Sequence, residues 1–334
     1  MIESSELRNY LISDDWLLLA PDRLGKIRKL KGCRLDPSLK NCPFERLNDQ
    51  EVISFYPAKK NWEIAVLKNK FPLVQFRGSK RASFNKKLYK IKPAYGYHEL
   101  LVTKNHQKNF PQLNPKQARL VLTTARNRFR EFTKDKKVKY VSFFHNKGLM
   151  AGASVFHPHY QLITLPIIPP HIEKSVDYAQ RFLKKFGNCV YCEMIKEESR
   201  FKERVIFETK AVIAFAPFVS YFPFEVKVFP KRHLAYFEKS SDRMLADVAE
   251  ALQPVLEMVE KKLKFDYNFF LHSALTSDNK ARKSYHWHIK ILPRSLRLAG
   301  FEIATGFYTN PVDPQRAASV LRGETSLKNL SLRH

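Results

Sequence analysis

Short apolar runs punctuated by one long amphipathic stretch organise the first half of the chain. "EIAVL" (63–67) and "HELLVT" (98–103) read as strands, as do "KYVSFF" (139–144) and "HPHYQLITL" (157–165). Between them, "LNPKQARLVLTTARNRFREF" (113–132) carries Leu120, Val121, Ala125, Phe129 and Phe132 at helical spacing. Asn114 is placed to cap that helix and Pro115 to occupy its first position, where a missing N–H costs nothing.

The second half repeats the order. "EVKVF" (225–229) predicts a strand, and "SSDRMLADVAEALQPVLEMVEKKL" (240–263) a capped helix with a kink near Pro254. "YNFFLH" (267–272) and "YHWHIKIL" (285–292) complete the unit with two strands. Histidines fall into the same frame, with His106 lying 51 residues before His157 and His233 lying 53 residues before His286. A cysteine precedes each: Cys42 in "NCPFE", and Cys189 with Cys192 in "NCVYC". This is the signature of a duplicated unit running cysteine, histidine, helix, strand, His-x-His. The fold class expected is α+β, with two tandem units, each an antiparallel sheet with packed helices. A length of 334 residues suits two domains, and "IIPPHIEKSVDYAQRFLKKFGN" (167–188) is the expected junction, dividing the chain into 1–180 and 181–334.

Composition narrows the setting. With 44% apolar and 13% aromatic residues the chain has ample material for a core, which excludes a disordered protein. No run approaches the ~20 apolar residues of a membrane span, and "MIESSELRNYL" has neither a basic n-region nor an apolar h-region. A cytoplasmic protein without a membrane partner is expected. The net charge of +27 calls for anionic partners, whether nucleic acid, nucleotides or sugar phosphates, or else reflects basic residues dispersed over solvated faces. Four cysteines are too few for a disulfide framework at this length, so Cys189-x-x-Cys192 reads as a metal half-site or a redox pair.

On a strand, His157, His159 and Gln161 would share one face. Alone, a His-x-His pair also fits an ordinary half-buried strand. The lead-in "NKGLMAGAS" (146–154) adds flexible backbone of the kind that approaches a phosphate closely. Imidazole can attack phosphorus and form a covalent intermediate, while a neighbouring histidine binds a metal that fixes the backbone. Gln161 cannot act as an acid but can hydrogen-bond a phosphoryl oxygen, which favours transfer between phosphates over hydrolysis. Cys189, Cys192, His233 and His286 make a Cys2His2 set suited to Zn2+. Lys290 stands where the first unit has Gln161, so the second site is expected to be structural.

At these residues the chain resembles the galactose-1-phosphate uridylyltransferase family of the histidine-triad superfamily. The likeness runs over nearly the whole length, through "ELRNYLISDDWLLLAPDR", "WEIAVLKNKFP", "NKGLMAGASVFHPHYQLITLP", "FPFEVKVFPKRH" and "YHWHIKILPRSLRLAGFEIATGFYTNPVDPQRAA". The resemblance implies an N-terminal uridylyltransferase-like domain, a C-terminal histidine-triad-like domain, and a nucleotidyl-histidine mechanism. His159 would be the nucleophile toward a nucleotide sugar, with sugar 1-phosphate leaving and a second phosphate accepting. It also implies that Gln161, Ser154, Gly152 and Asn146 contact phosphates, and that Asn69 and Phe71 approach base and ribose. Arg23 matches a family arginine that reaches the active site, Lys26 stands where a second arginine is usual, and a homodimer is implied. A first metal site would use Cys42, His106 and His157, with Glu45 where the family has a second cysteine; either Glu45 or Cys33 could complete it. Tyr160 replaces a small residue and is expected to face away from the histidine pair.

Two function classes follow. One is a nucleotidyltransferase with UDP-glucose as donor, or an adenylyl-specific relative such as an ADP-glucose or dinucleoside polyphosphate phosphorylase. The other is a nucleic-acid-binding protein on the same scaffold, suggested by the charge and by aromatics such as those of "VSYFPF" (219–224).

Overall fold

The computed structural model describes residues 6–10, 15–19, 35–75, 84–86, 89–274 and 279–327, so Arg23, Lys26 and Cys33 lie outside the described residues. The first unit opens with β1 Glu6–Tyr10, β2 Asp15–Leu19, β3 Val52–Tyr56, β4 Ile64–Lys68, β5 Phe84–Lys86, β6 Tyr89–Pro93 and β7 His98–Thr103. Helix α1 Pro115–Phe132, then β8 Tyr140–Lys147 and β9 His159–Leu165, complete it. Helices α2 Pro170–Phe186 and α3 Val190–Phe201 lead into β10 Val205–Glu208, β11 Val212–Phe215 and β12 Val226–Pro230. Then come α4 Asp242–Met258, β13 Tyr267–His272, β14 His288–Pro293, α5 Gly300–Thr305 and α6 Pro314–Arg322. The division expected after residue 180 falls within α2.

Strands β2-β1-β6-β5 form a small sheet, and the other ten form one sheet in the order β10-β11-β12-β14-β13-β8-β9-β7-β4-β3. The duplication is plain in this order. From the outer edge inward, each half places its first, second, third, fifth and fourth strands, with its long helix connecting the third to the fourth. The halves meet where β8 and β13 pair antiparallel, Phe144 opposite Phe270. All pairings between these ten strands are antiparallel.

Period-two alternation sorts side chains between the two faces. Val141, Phe143, Tyr160, Leu162, Phe269, Leu271, Ile289 and Ile291 join residues of α1 and α4 in one buried cluster. Burying each such side chain contributes roughly 1.5–3 kcal/mol, which makes this shared layer the main support of both halves. Tyr160 therefore faces the core, away from His159, and is fully buried. The opposite face carries His159, Gln161, Asn146, Asn268, His272, His288 and Lys290.

Local signals act as expected at the helix starts. Asn114 Oδ1 accepts the Gln117 N–H at 2.9 Å, and Gln117 Oε1 accepts the Asn114 N–H at 3.2 Å, a reciprocal capping box. Ser241 Oγ accepts the Met244 N–H at the start of α4. Helix α4 runs on through Pro254, because buried Leu252, Val255 and Leu256 hold the turns on both sides; α geometry ends later, in a π turn over Val259–Leu263. Arg126 ties the two long helices, donating to Asp242 Oδ1 at 2.5 Å and to the Ser240 carbonyl at 3.0 Å.

Candidate active site and metal clusters

The strand carrying His159 begins at that residue, so His157 lies just ahead of it rather than on it. Pro158, having no N–H to give a ladder, separates the two. His159 is buried, opposite Val102 of β7, with the Phe44 ring 5.3 Å away. Its Nδ1 lies 2.9 Å from the His157 carbonyl. An N–H donated there fixes the tautomer and leaves the ring lone pair on Nε2. Behind it, His145 Nδ1 donates to the His159 carbonyl at 2.8 Å, with its ring against Tyr160. Burial pushes His145 down to about 3, so it is neutral at physiological pH.

Gln161, two residues on, shares the face of His159. Its Oε1 lies 3.1 Å from His98 Nε2. His98 Nδ1 accepts the Leu73 N–H at 3.0 Å, which keeps the ring proton on Nε2 to donate to Gln161. Asn69 Oδ1 accepts the Phe71 N–H at 2.8 Å, and its Nδ2 lies 2.9 Å from the same His98 nitrogen, a contact that is not a hydrogen bond while that nitrogen carries the ring proton. The structure thus brings Asn69 and Gln161 together through His98, whereas Phe71 projects into solvent.

Asn146 Oδ1 accepts from Asn268 Nδ2 at 2.8 Å, and the same amide donates to the Ala151 carbonyl at 2.8 Å. Asp266 Oδ2 accepts the Met150 N–H at 2.8 Å. Residues of β13 and its approach therefore shape the loop that holds Gly152 and Ser154, both exposed. His98, His145, Asp266 and Asn268 escaped the sequence reading, since none belongs to a local motif.

Cys42, Glu45, His106 and His157 converge, with one ligand atom from each lying within 4.8 Å of all the others. Glu45 Oε1 is 3.2 Å from both His106 Nδ1 and His157 Nδ1, which are 3.2 Å from one another, and Cys42 Sγ is 3.5 Å from His157 Nδ1. These spacings match the edges of a tetrahedron with zinc-ligand bonds of about 2.0–2.3 Å. His106 Nε2 donates to the Pro37 carbonyl at 3.0 Å and His157 Nε2 to the Thr103 carbonyl at 2.6 Å, so both Nδ1 lone pairs face inward. Burial holds His157 below its ordinary range and pushes the Cys42 thiol up, so each is neutral in the absence of a cation. Two inward imidazole lone pairs beside a carboxylate and a thiol, whose S–H is the proton a cation would displace, fit a metal ion.

The second cluster consists of Cys189, Cys192 and His233, with Cys192 Sγ 3.2 Å from His233 Nδ1. His286 stands at its edge, Nδ1 3.7 Å from Cys192 Sγ. His233 Nε2 donates to the Arg282 carbonyl at 3.0 Å, the same inward orientation. A hydrogen bond from Cys192 draws the Cys189 thiol below its ordinary range, against the opposing effect of burial. His288 repeats the His159 arrangement, its Nδ1 3.1 Å from the His286 carbonyl, but Phe229 stacks on its ring at 4.6 Å and His272 lies 5.1 Å away.

No described helix is long and apolar enough to cross a membrane. Among known proteins, the chain is 27% identical to an ADP-glucose phosphorylase of Arabidopsis thaliana over 97% of its own length and 94% of the relative's. It is 24% identical to the galactose-1-phosphate uridylyltransferase of Thermotoga maritima over 95% and 98%. Among solved structures, a uridylyltransferase superposes with a TM-score of 0.78 at 25% identity, covering 95% of this chain and 97% of that one. The Arabidopsis thaliana ADP-glucose phosphorylase with bound ADP-glucose gives 0.76 at 26% identity, covering 97% and 100%. The chain is thus a homologue of the galactose-1-phosphate uridylyltransferases in sequence and in α+β fold. Residues 96–329, well over half of the chain, match the family described as Domain of unknown function (DUF4921), and it is to this family that the chain belongs.

Proposed function

We propose that the protein is a nucleotidyltransferase working through a nucleotidyl-His159 intermediate, with ADP-glucose as donor and a phosphate as acceptor. The observation that carries the reading is the His159 hydrogen bond to the His157 carbonyl, which fixes the tautomer with its lone pair on Nε2, the form in which imidazole is a nucleophile. His159 Nε2 attacks the α-phosphorus, the bond to the bridging oxygen breaks, and sugar 1-phosphate leaves with the electron pair. An acceptor phosphate oxygen then attacks the same phosphorus and regenerates neutral His159.

Gln161, oriented by His98, donates its amide to a phosphoryl oxygen, with Asn146, Gly152 and Ser154 along the same path. Asn69 and Phe71 face base and ribose, and Arg23 and Lys26 bring further positive charge. Cys42, Glu45, His106 and His157 would hold one Zn2+, and Cys189, Cys192, His233 and His286 a second. Zinc there supplies structural cross-linking of the approach to His159 and of its C-terminal counterpart. Phe301 and Ile303 of α5, with Phe307 just beyond it, are exposed apolar side chains of the kind a homodimer would cover. The adenylyl reading is preferred to the uridylyl one because the Arabidopsis thaliana phosphorylase is 27% identical to this chain against 24% for the Thermotoga maritima uridylyltransferase.

Intact-mass measurement after incubation with ADP-glucose, UDP-glucose or ATP tests this. An adenylyl adduct from ADP-glucose that disappears in His159→Ala is the expected result. A uridylyl adduct alone would move the protein to the uridylyl branch, and no adduct with any donor would refute the covalent mechanism.

A further inference from the structure

Across the sheet, Gln161, Phe144, Phe270 and Lys290 stand in one cross-strand row, and Lys227 of β12 lies directly opposite Lys290. Lys290 occupies in the second unit the position of Gln161 in the first, and Lys227 that of Leu100. Two lysines directly opposite on one face repel, so their placement on a half-buried surface calls for anions. One is present: Glu225, fully buried, lies 2.9 Å from Lys290 Nζ, and its other oxygen accepts the Tyr221 N–H. Lys227 has no carboxylate within ion-pair distance among the described residues.

The end of a helix adds positive potential, whereas the histidines beside it are kept neutral by burial. His272 lies opposite His288 on the same face, and the His171 ring is 6.4 Å from that of His272. His171 belongs to the first turn of α2, whose N-cap is Pro169 and makes no side-chain capping bond, so the positive end of a 17-residue helix comes to this corner. Burial, together with neighbouring Lys290, holds Lys227 below its ordinary range despite the charge of Glu225, as it would for a cation without its counterion.

We propose that this corner of the C-terminal unit is a second anion site, in which Lys227 and Lys290 take a phosphoryl group. Three strand spacings of ~4.8 Å place it ~14 Å from Gln161, too far for one phosphate to serve both positions. The site does not depend on how His159 reacts. Its ligand is either inorganic phosphate or the phosphate end of a mononucleotide.

Calorimetric titration of the full-length, metal-containing protein with inorganic phosphate, and separately with AMP, tests the assignment. In Lys227→Met, phosphate binding should weaken about tenfold or more, the size of a lost charge-assisted bond, while Lys227→Arg and His159→Ala keep it. The melting temperature without phosphate should hold or rise in Lys227→Met, because an uncompensated cation is removed, and its increase on adding phosphate should shrink to the part that the acceptor position at His159 supplies. AMP binding more tightly than phosphate, with the same loss in Lys227→Met, makes a nucleotide the source; phosphate binding alone makes it the free ion. Unchanged phosphate binding in Lys227→Met, or its loss in His159→Ala instead, overturns the proposal.

Discussion

Two glycines in the loop leading to His157 offer a controlled experiment on that loop. Gly148 and Gly152 have nearly the same backbone, with φ of +85° and +83°. An alanine at either pays a left-handed conformational cost of about 1–2 kcal/mol. Their surroundings differ: a methyl group on Gly148 overlaps the Asp266 carboxylate, whereas one on Gly152 meets nothing within 4 Å. Asp266 would have to move, losing the 2.8 Å bond from the Met150 N–H, a charge-assisted bond worth about 1.5–3 kcal/mol. Gly148→Ala should therefore cost about 2.5–5 kcal/mol and Gly152→Ala about 1–2. At about 2 °C per kcal/mol for a chain of this size, the losses in Tm are about 5–10 °C and about 2–4 °C. Differential scanning calorimetry of both variants, with Asp266→Ala/Gly148→Ala to relieve the overlap, measures the difference. Equal losses at the two glycines, or no relief in the double variant, would refute the steric reasoning.

Glu45→Ala should release the metal of the first cluster while leaving that of the second. Loss of a direct ligand should exceed the roughly 10–100-fold weakening caused by losing an outer partner. Glu45→Cys should retain zinc against a chelator longer than wild type; metal content by mass spectrometry after chelator dialysis checks both, and full occupancy of both sites in Glu45→Ala contradicts the assignment. His145, held near 3 by burial, remains unprotonated in the folded state while the unfolded chain takes up a proton below its ordinary pKa of about 6.5. Its stabilising contribution is complete above pH 6.5 and is lost as pH falls toward 3. Urea titrations across that window should show His145→Phe with a pH slope shallower by about 1.4 kcal/mol per unit, and an unchanged slope would count against a buried neutral imidazole.

Much of the fold was legible because its signals are local. The Asn114 cap, the strand periods and the duplicated order of elements need only neighbours in sequence. The donor sets were legible because cysteine and histidine are scarce and recur in register. His98 and His145 were not, since each matters through a hydrogen bond to a residue 63 or 14 positions away that only strand register creates. Spacing placed His157 on the strand, but the strand begins only at His159, two residues later than the pattern suggests, because Pro158 has no N–H for the ladder. The continuation through Pro254 likewise reflects tertiary burial overriding a local penalty.

The seam between β8 and β13 bears on how such a chain can be divided or expressed. Each half alone would expose that strand's backbone as an unpaired edge, eight residues in one half and six in the other, backed by an apolar face. In the joined sheet the two ends of the order are the short strands β3 and β10. Fusion of the two units therefore doubles the sheet without adding an edge on which another chain can polymerise. Separated halves would be self-adhesive, and would be soluble chiefly by finding one another.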